Sequence, residues 1–146
     1  VIMRFVRELA EYERAADKVV ATEALLADAL FGPHPAAQAV IADIDGKPAG
    51  MALFFENFST WTGWRGLYLE DLYVTPEARG AGVGRALLKH LAGIALDRGC
   101  TRFEWAVLDW NTNAIEFDRS MGAVAMDDWT VNRVTGDALS RLAGRG

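Results

Sequence analysis

Glu70 and Asp71 stand side by side in an otherwise apolar run, Leu67-Tyr68-Leu69-Glu70-Asp71-Leu72-Tyr73-Val74. A few residues later the chain passes through Arg79-Gly80-Ala81-Gly82-Val83-Gly84-Arg85. Adjacent carboxylates suit proton transfer, because close negative charges shift each other's pKa. A base so placed typically contributes ~10²–10⁴-fold to a reaction that must remove a proton. The glycine-rich segment suits a different task. Glycines let successive backbone N–H groups turn toward one point, and a helix start adds partial positive charge there. A β-rich stretch, the Thr75-Pro76 punctuation, the glycine turn and an amphipathic helix follow one another in that order. Together they predict a phosphorylated cofactor, held after a strand that carries two adjacent carboxylates.

Two familiar phosphate loops do not fit. A P-loop needs Gly-x-x-x-x-Gly-Lys-Ser/Thr, and the next lysine after these glycines is Lys89, well inside the helix. A dinucleotide fingerprint needs Gly-x-Gly-x-x-Gly, but counting from Gly80 puts Arg85 at the last position and counting from Gly82 puts Leu87 there. What remains is Arg-x-x-Gly-x-Gly, carried by Arg79, Gly82 and Gly84 directly after the Glu70-Asp71 strand.

The elements that must position these residues alternate along the chain. Phe5 to Arg14 reads as a helix with Phe5, Leu9 and Tyr12 on one stripe, and Thr22 caps a second through Leu25, Leu26, Ala29 and Leu30. Ala39 to Ile44 and Ala49 to Phe55 read as strands joined by Asp45-Gly46, a strong hairpin signal. Residues 57–66 read as loop, Leu67 to Val74 as the next strand, and Val83, Leu87, Leu91 and Ile94 as one face of a helix ending near Arg98. Phe103 to Leu108 is expected as a strand. Asn111 or Asn113 then caps a helix with Ala114, Ile115 and Phe117 that stops at Gly122. Trp129 to Val134 is expected as a last strand and Asp137 to Leu142 as a short helix. The expectation is one α/β domain around a mixed sheet of about five or six strands.

Composition narrows the class. A chain of 146 residues, 51% hydrophobic and 24% charged, suits one globular domain. A net charge of −5 argues against a nucleic-acid partner, whose phosphates favour basic patches, and suits a cationic small molecule. Cys100 is the single cysteine, so no intrachain disulfide forms, and its setting before a strand predicts a buried structural thiol. His34 and His90 are expected on the surface. With neither a secretory leader nor a bilayer-spanning apolar run in view, no membrane partner and a cytoplasmic location are expected.

The Glu-Asp-x-x-Val plus Arg-x-x-Gly-x-Gly unit resembles the pyrophosphate loop of the GNAT acetyltransferases. The likeness extends from about Val6 to Leu142. Thr60-Trp61-x-Gly63, Leu9-Ala10-Glu11-Tyr12-Glu13 and Val107-Leu108-Asp109-Trp110-Asn111 with Ala114-Ile115-x-Phe117 resemble its spermidine/spermine branch. The resemblance implies a GNAT-like fold, a mixed and mostly antiparallel sheet flanked by helices. It implies acetyl-coenzyme A as co-substrate, no metal, a homodimer involving the Trp129 strand, and direct attack of a neutral amine on the thioester. Backbone groups of Leu72, Tyr73 and Val74 would meet the pantetheine arm, with Asn111 and Ala114 against it. Residues Gly80, Ala81, Gly82, Val83, Gly84 and Arg85 would hold the pyrophosphate, with Arg79 adding charge. Glu70 would relay the amine proton through water. Tyr12, Glu13, Trp61, Glu70 and Asp71 would face a polyamine, diamine or lysine-like amine, with Glu104 or Asp109 as further attracting charges.

Two departures stand out. The family begins with a strand before the first helix and this chain begins at that helix, so either the sequence lacks a segment or the sheet lacks its first strand. Asp118 occupies the position of the family's tyrosine, which is proposed to protonate the departing thiolate. A carboxyl with a reference pKa of about 3.9 is ionised at neutral pH unless burial raises it. Asp118 is then a protonated acid, or another donor such as Tyr73 or none at all is used, or catalysis is impaired. The last case leaves a coenzyme A-binding protein with a sensor or partner role as the alternative to an enzyme.

Overall fold

In the computed structural model, which describes residues 1–145, Asp45 and Gly46 both take positive φ, 51° and 80°. Positive φ at both central residues is the type I′ turn that matches strand twist. It joins β1 (Gln38–Ile44) to β2 (Lys47–Ser59). β2 continues past the point the sequence suggests and pairs antiparallel with β3 (Trp64–Val74), from Ser59↔Trp64 to Gly50↔Val74. Residues 57–66 are therefore a hairpin rather than a loop. Cross-strand pairing extends both strands, and the turn is closed by the Gly63 N–H donating to Ser59 O at 2.8 Å.

β4 (Phe103–Trp105) adds to β3 in parallel, and the order is β1-β2-β3-β4. It is shorter than the strand expected through Leu108. Its last pair, Leu69↔Trp105, lies one residue before a bulge in β3. A bulge bends the strand and increases its twist, which carries β3 away from the continuing chain.

Helices α1 (Ile2–Tyr12) and α3 (Val83–Asp97) cover opposite faces of the sheet. Phe5 and Leu9 of α1 bury against Met51 and Tyr73. The neighbouring Gly50 points the other way, where a Cβ would stand only 3.0 Å from Val83 and 3.4 Å from Leu87 of α3. Helix α2 (Glu23–Phe31) is capped as its sequence predicts, with Thr22 Oγ1 accepting from the Leu25 N–H at 3.2 Å. Among the described residues no strand precedes α1, and no helix is long and apolar enough to cross a membrane.

Past α3 the chain turns through Gly99 at φ 72°, where the Gly99 and Cys100 N–H groups donate to Leu96 O and Ala95 O. This Schellman stop draws Cys100 to a half-buried turn, not the buried setting expected. His34 and His90 are exposed.

The chain divides into two compact units, Val1–Leu108 and Asp109–Gly146. The second contains α4 (Thr112–Ser120), capped by Asn111 Oδ1 accepting from the Ala114 N–H at 3.2 Å, and α5 (Gly136–Leu142). The strand expected over 129–134 does not form. The segment is irregular, with Trp129 66% and Val131 86% exposed, and its backbone bonds locally, the Trp129 N–H donating to Met126 O at 3.2 Å and Thr130 O accepting from the Asn132 side chain. Among the described residues the sheet therefore has four strands, not five or six. The expected strand-mediated homodimer loses the element on which it was based.

Candidate active site

β3 organises the site through one irregularity. Leu53 pairs with Asp71 and Phe54 with Leu69, so Glu70 is the extra residue of a β-bulge and has no partner on β2. Beyond Leu69 no β4 residue pairs with β3, so among the described residues its far half has no ladder partner on that edge, which is open to pairing. The direction of the backbone groups there follows from one bond. The Thr75 N–H donates to Ala49 O on the β2 side at 2.9 Å, and directions alternate along a strand. The N–H and C=O of Leu72 and Val74 therefore face the open edge. Tyr73 O instead faces β2, lying 2.6 Å from where a Gly50 Cβ would stand.

The open edge leads to the glycine loop. Gly80 and Gly82 have φ of 86° and 80°, and a Cβ on either would meet no atom within 4 Å. Gly82 is the N-cap of α3, and no side chain caps this helix start. The first bond inside the helix runs from the Ala86 N–H to Gly82 O at 3.0 Å, so the Val83, Gly84 and Arg85 N–H groups lie ahead of it. A helix start without a side-chain cap, its positive dipole and clear space together fit a diphosphate. With Leu72 and Val74 on the approach, the residues present fit a long cofactor with a pantetheine-like arm.

The third component is negative. Glu13, at the C-cap of α1, is half-buried, and burial together with Glu70 raises its pKa above the ordinary carboxylate value. Asp71 is pushed up to about 6, first by burial and then by the charges of Glu70 and Glu13. The fold therefore brings three sequence-predicted carboxylates into mutual range. The end of α1 is what aims Glu13. Arg14 takes φ 60° in a Schellman turn, with the Ala15 N–H donating to Ala10 O at 2.8 Å.

Asp71 ties stability to pH. Its folded pKa lies above the unfolded one, so the native state holds the proton more tightly between pH 3.8 and about 6. The associated stability is present below that window and lost as pH rises through it. Asp71→Asn is expected to raise stability near neutral pH by ~1–2 kcal/mol, after discounting for surrounding water, with no gain near pH 4. Thermal unfolding at the two pH values checks this; an equal gain at both would assign the effect to packing.

Tyr73 and Trp61 have other settings within the first unit. Tyr73 is buried against Phe5 with ring centroids 5.3 Å apart, and its hydroxyl donates to Glu8 Oε1 at 2.8 Å. Burial and Glu8 push its pKa up to about 12, the wrong direction for a donor to a thiolate. Trp61 sits at the β2–β3 turn, 80% exposed, with the Arg102 guanidinium 6.0 Å from its ring centroid. At ~3.3 Å per strand residue, the run from Trp64 to Glu70 puts it on the order of 20 Å from the carboxylates. Asn111, Ala114 and Asp118 belong to α4 and its cap in the second unit, and Asp109 opens that unit.

Two residues that sequence reasoning missed belong to this region. Glu8 forms an i,i+4 ion pair with Arg4 at 3.3 Å and also accepts from the Tyr73 hydroxyl. Tyr68 stacks on Phe55 at 5.2 Å and pairs across the sheet with Glu104. Burial first, then the charges of Glu70 and Glu104, raise its pKa. Its place two residues before Glu70 was the available signal.

Comparison with known proteins agrees with this geometry. The profile of the acetyltransferase (GNAT) family matches residues 4–123. The chain is 43% identical over 156 aligned residues to thialysine N-epsilon-acetyltransferase of Sus scrofa, covering 99% of this chain and 91% of that one. It is 33% identical to spermidine/spermine N(1)-acetyltransferase-like protein 1 of Homo sapiens, covering 97% of this chain and 22% of that one. Among solved structures, an integron cassette protein of V. cholerae superposes with a TM-score of 0.79 at 33% identity, covering 94% of this chain and 86% of that one. The chain belongs to the acetyltransferase (GNAT) family and is an N-acetyltransferase of its diamine branch.

Proposed function

We propose that this enzyme acetylates a primary amine of a small lysine-like amino acid or diamine, with acetyl-coenzyme A as donor. The observation that carries the reading is the convergence of Glu13, Glu70 and Asp71 beside the open edge of β3 and the uncapped start of α3. The cofactor supplies the activated acetyl thioester. The chain's own residues do the rest. The loop N–H groups and Arg79 hold the diphosphate, and the Leu72 and Val74 backbone edge aligns the arm. Glu13 and Asp71 draw in the ammonium group. Glu70, exposed on its bulge, accepts the amine proton through water so that the neutral nitrogen can attack. The thialysine relative supports the lysine-like class over larger substrates.

The thiolate leaves without a dedicated acid in this proposal. Tyr73 is committed to Glu8, and a thiol pKa of about 8.5 makes unassisted departure inexpensive near neutral pH. Asp118→Tyr is accordingly expected to raise kcat by ~10-fold or less, against ~10²–10⁴-fold for a full acid role. Steady-state acetyl transfer by the two proteins tests this, and loss of activity in the variant would assign Asp118 a working role.

Asp118 also favours a second reading, a coenzyme A-binding protein without catalysis. Thiol release from acetyl-coenzyme A with thialysine, lysine, ornithine and spermidine separates the two. Amine-dependent release supports the enzyme. Cofactor binding with no release against any of them supports the second reading.

A further inference from the structure

The motif arginine that opens the glycine loop does not stand alone. The Arg79 guanidinium lies 5.5 Å from the ring centroid of Tyr12, the last residue of α1. This is cation–π range, and the contact joins two segments 67 positions apart in the chain. The next residue, Glu13, is one of the three site carboxylates. A second link holds the same helix lower down, where the Tyr73 hydroxyl donates to Glu8 at 2.8 Å and its ring packs on Phe5. The lower link is part-buried, through the buried Tyr73 and Phe5 rings, and fixes the body of α1 to β3. The upper one is at the surface, with Tyr12 44% exposed, and fixes only the helix end that carries Glu13.

We propose that the Arg79–Tyr12 contact couples the two substrates, so that a diphosphate bound at the glycine loop orders the end of α1 and strengthens amine binding at Glu13. The inference rests on the cofactor and amine assignments above. An anion on the loop fixes the Arg79 side chain, which otherwise has solvent-exposed rotamers to sample. Its guanidinium has two faces and an edge of N–H donors, so one group can stack on Tyr12 while donating to phosphate. The helix end it restrains is held by an αL arginine at position 14, a backbone state that L residues resist. Coupling through such contacts is reciprocal and is typically 5–150-fold in affinity. A single stacked pair at the surface belongs at the lower end. Tyr12 is thus a positioning residue, acting on the amine through Glu13.

Hydrogen exchange of the wild-type protein with and without coenzyme A tests the coupling directly. Coenzyme A is expected to slow exchange over residues 11–15 several-fold. In Tyr12→Leu this slowing should vanish while coenzyme A affinity stays within about 3-fold, and Tyr12→Phe, which keeps the ring, should restore it. In acetyl transfer to thialysine, Tyr12→Leu should raise the amine KM by ~5–10-fold with kcat little changed. Slowing that persists in Tyr12→Leu, or coenzyme A binding that leaves residues 11–15 unaffected, overturns the inference but not the cofactor assignment. Failure of wild-type protein to bind coenzyme A, seen in the titration alone, overturns both.

Discussion

Glu70→Gln is expected to lower kcat for amine acetylation near neutral pH by ~10²-fold or more. The substitution keeps the shape of the side chain and removes only its capacity to take a proton. Glu70 is exposed and opposes no residue on β2, so the fold should tolerate the change. A primary amine with a pKa of about 10.4 is almost wholly protonated at neutral pH, so the missing base is felt fully there. Raising the pH deprotonates the amine in bulk solution, and the deficit should shrink by roughly tenfold per unit until the amine is neutral. A pH–rate comparison of the two proteins reads this out. A deficit independent of pH would mean that Glu70 serves charge attraction rather than proton removal.

Gly82→Ala is expected to weaken coenzyme A binding by ~10²-fold, far beyond its effect on folding. Gly82 has φ 80°, and an L residue there costs ~1–2 kcal/mol of backbone strain. The added Cβ would touch no protein atom within 4 Å and would stand in the space where the phosphates are expected. Gly63 supplies the control, since it has φ 69°, equally clear surroundings and a place in the β2–β3 turn. Gly63→Ala should lose comparable stability and keep its cofactor affinity. Calorimetric titration and thermal unfolding of both variants separate strain from occlusion. Equal affinities in the two variants would remove the glycine loop from the cofactor site.

These two residues also differ in how they could be read. Gly82 is legible in sequence because its reason is local. The loop needs positive φ, the helix needs a start, and both demands fall within a few neighbouring residues. Thr22, Asn111 and the Asp45-Gly46 turn are legible for the same reason, each being a cap or turn complete within four residues. Glu70 is legible as a chemical type but not as a geometry. Its bulge exists only through the mismatch of Leu53 and Phe54 against Asp71 and Leu69.

The misread elements share that cause. Residues 57–66 looked like loop because Ser59, Thr60 and Gly63 are turn formers, yet the flanking residues find ladder partners across the hairpin. Trp129 to Val134 looked like a strand because its composition is β-favouring, yet its backbone turns locally, with the Trp129 N–H donating to Met126 O, and it joins no strand of the β1–β4 sheet. β-propensity describes fitness for a pleated surface, and whether that surface exists is settled by other parts of the chain. Tyr73 is a further case, since only the packing of α1 onto β3 commits its hydroxyl to Glu8.

By itself the sequence determined the chemistry on offer: a phosphate-holding turn, adjacent carboxylates and the family to which they belong. Those are short-range properties, encoded in residue types at fixed spacing. Only the tertiary structure decided which carboxylates meet, which edge of β3 is open, and that Arg79 reaches Tyr12. Each of these depends on segments tens of residues apart being packed on one sheet, and no local pattern records such a distance.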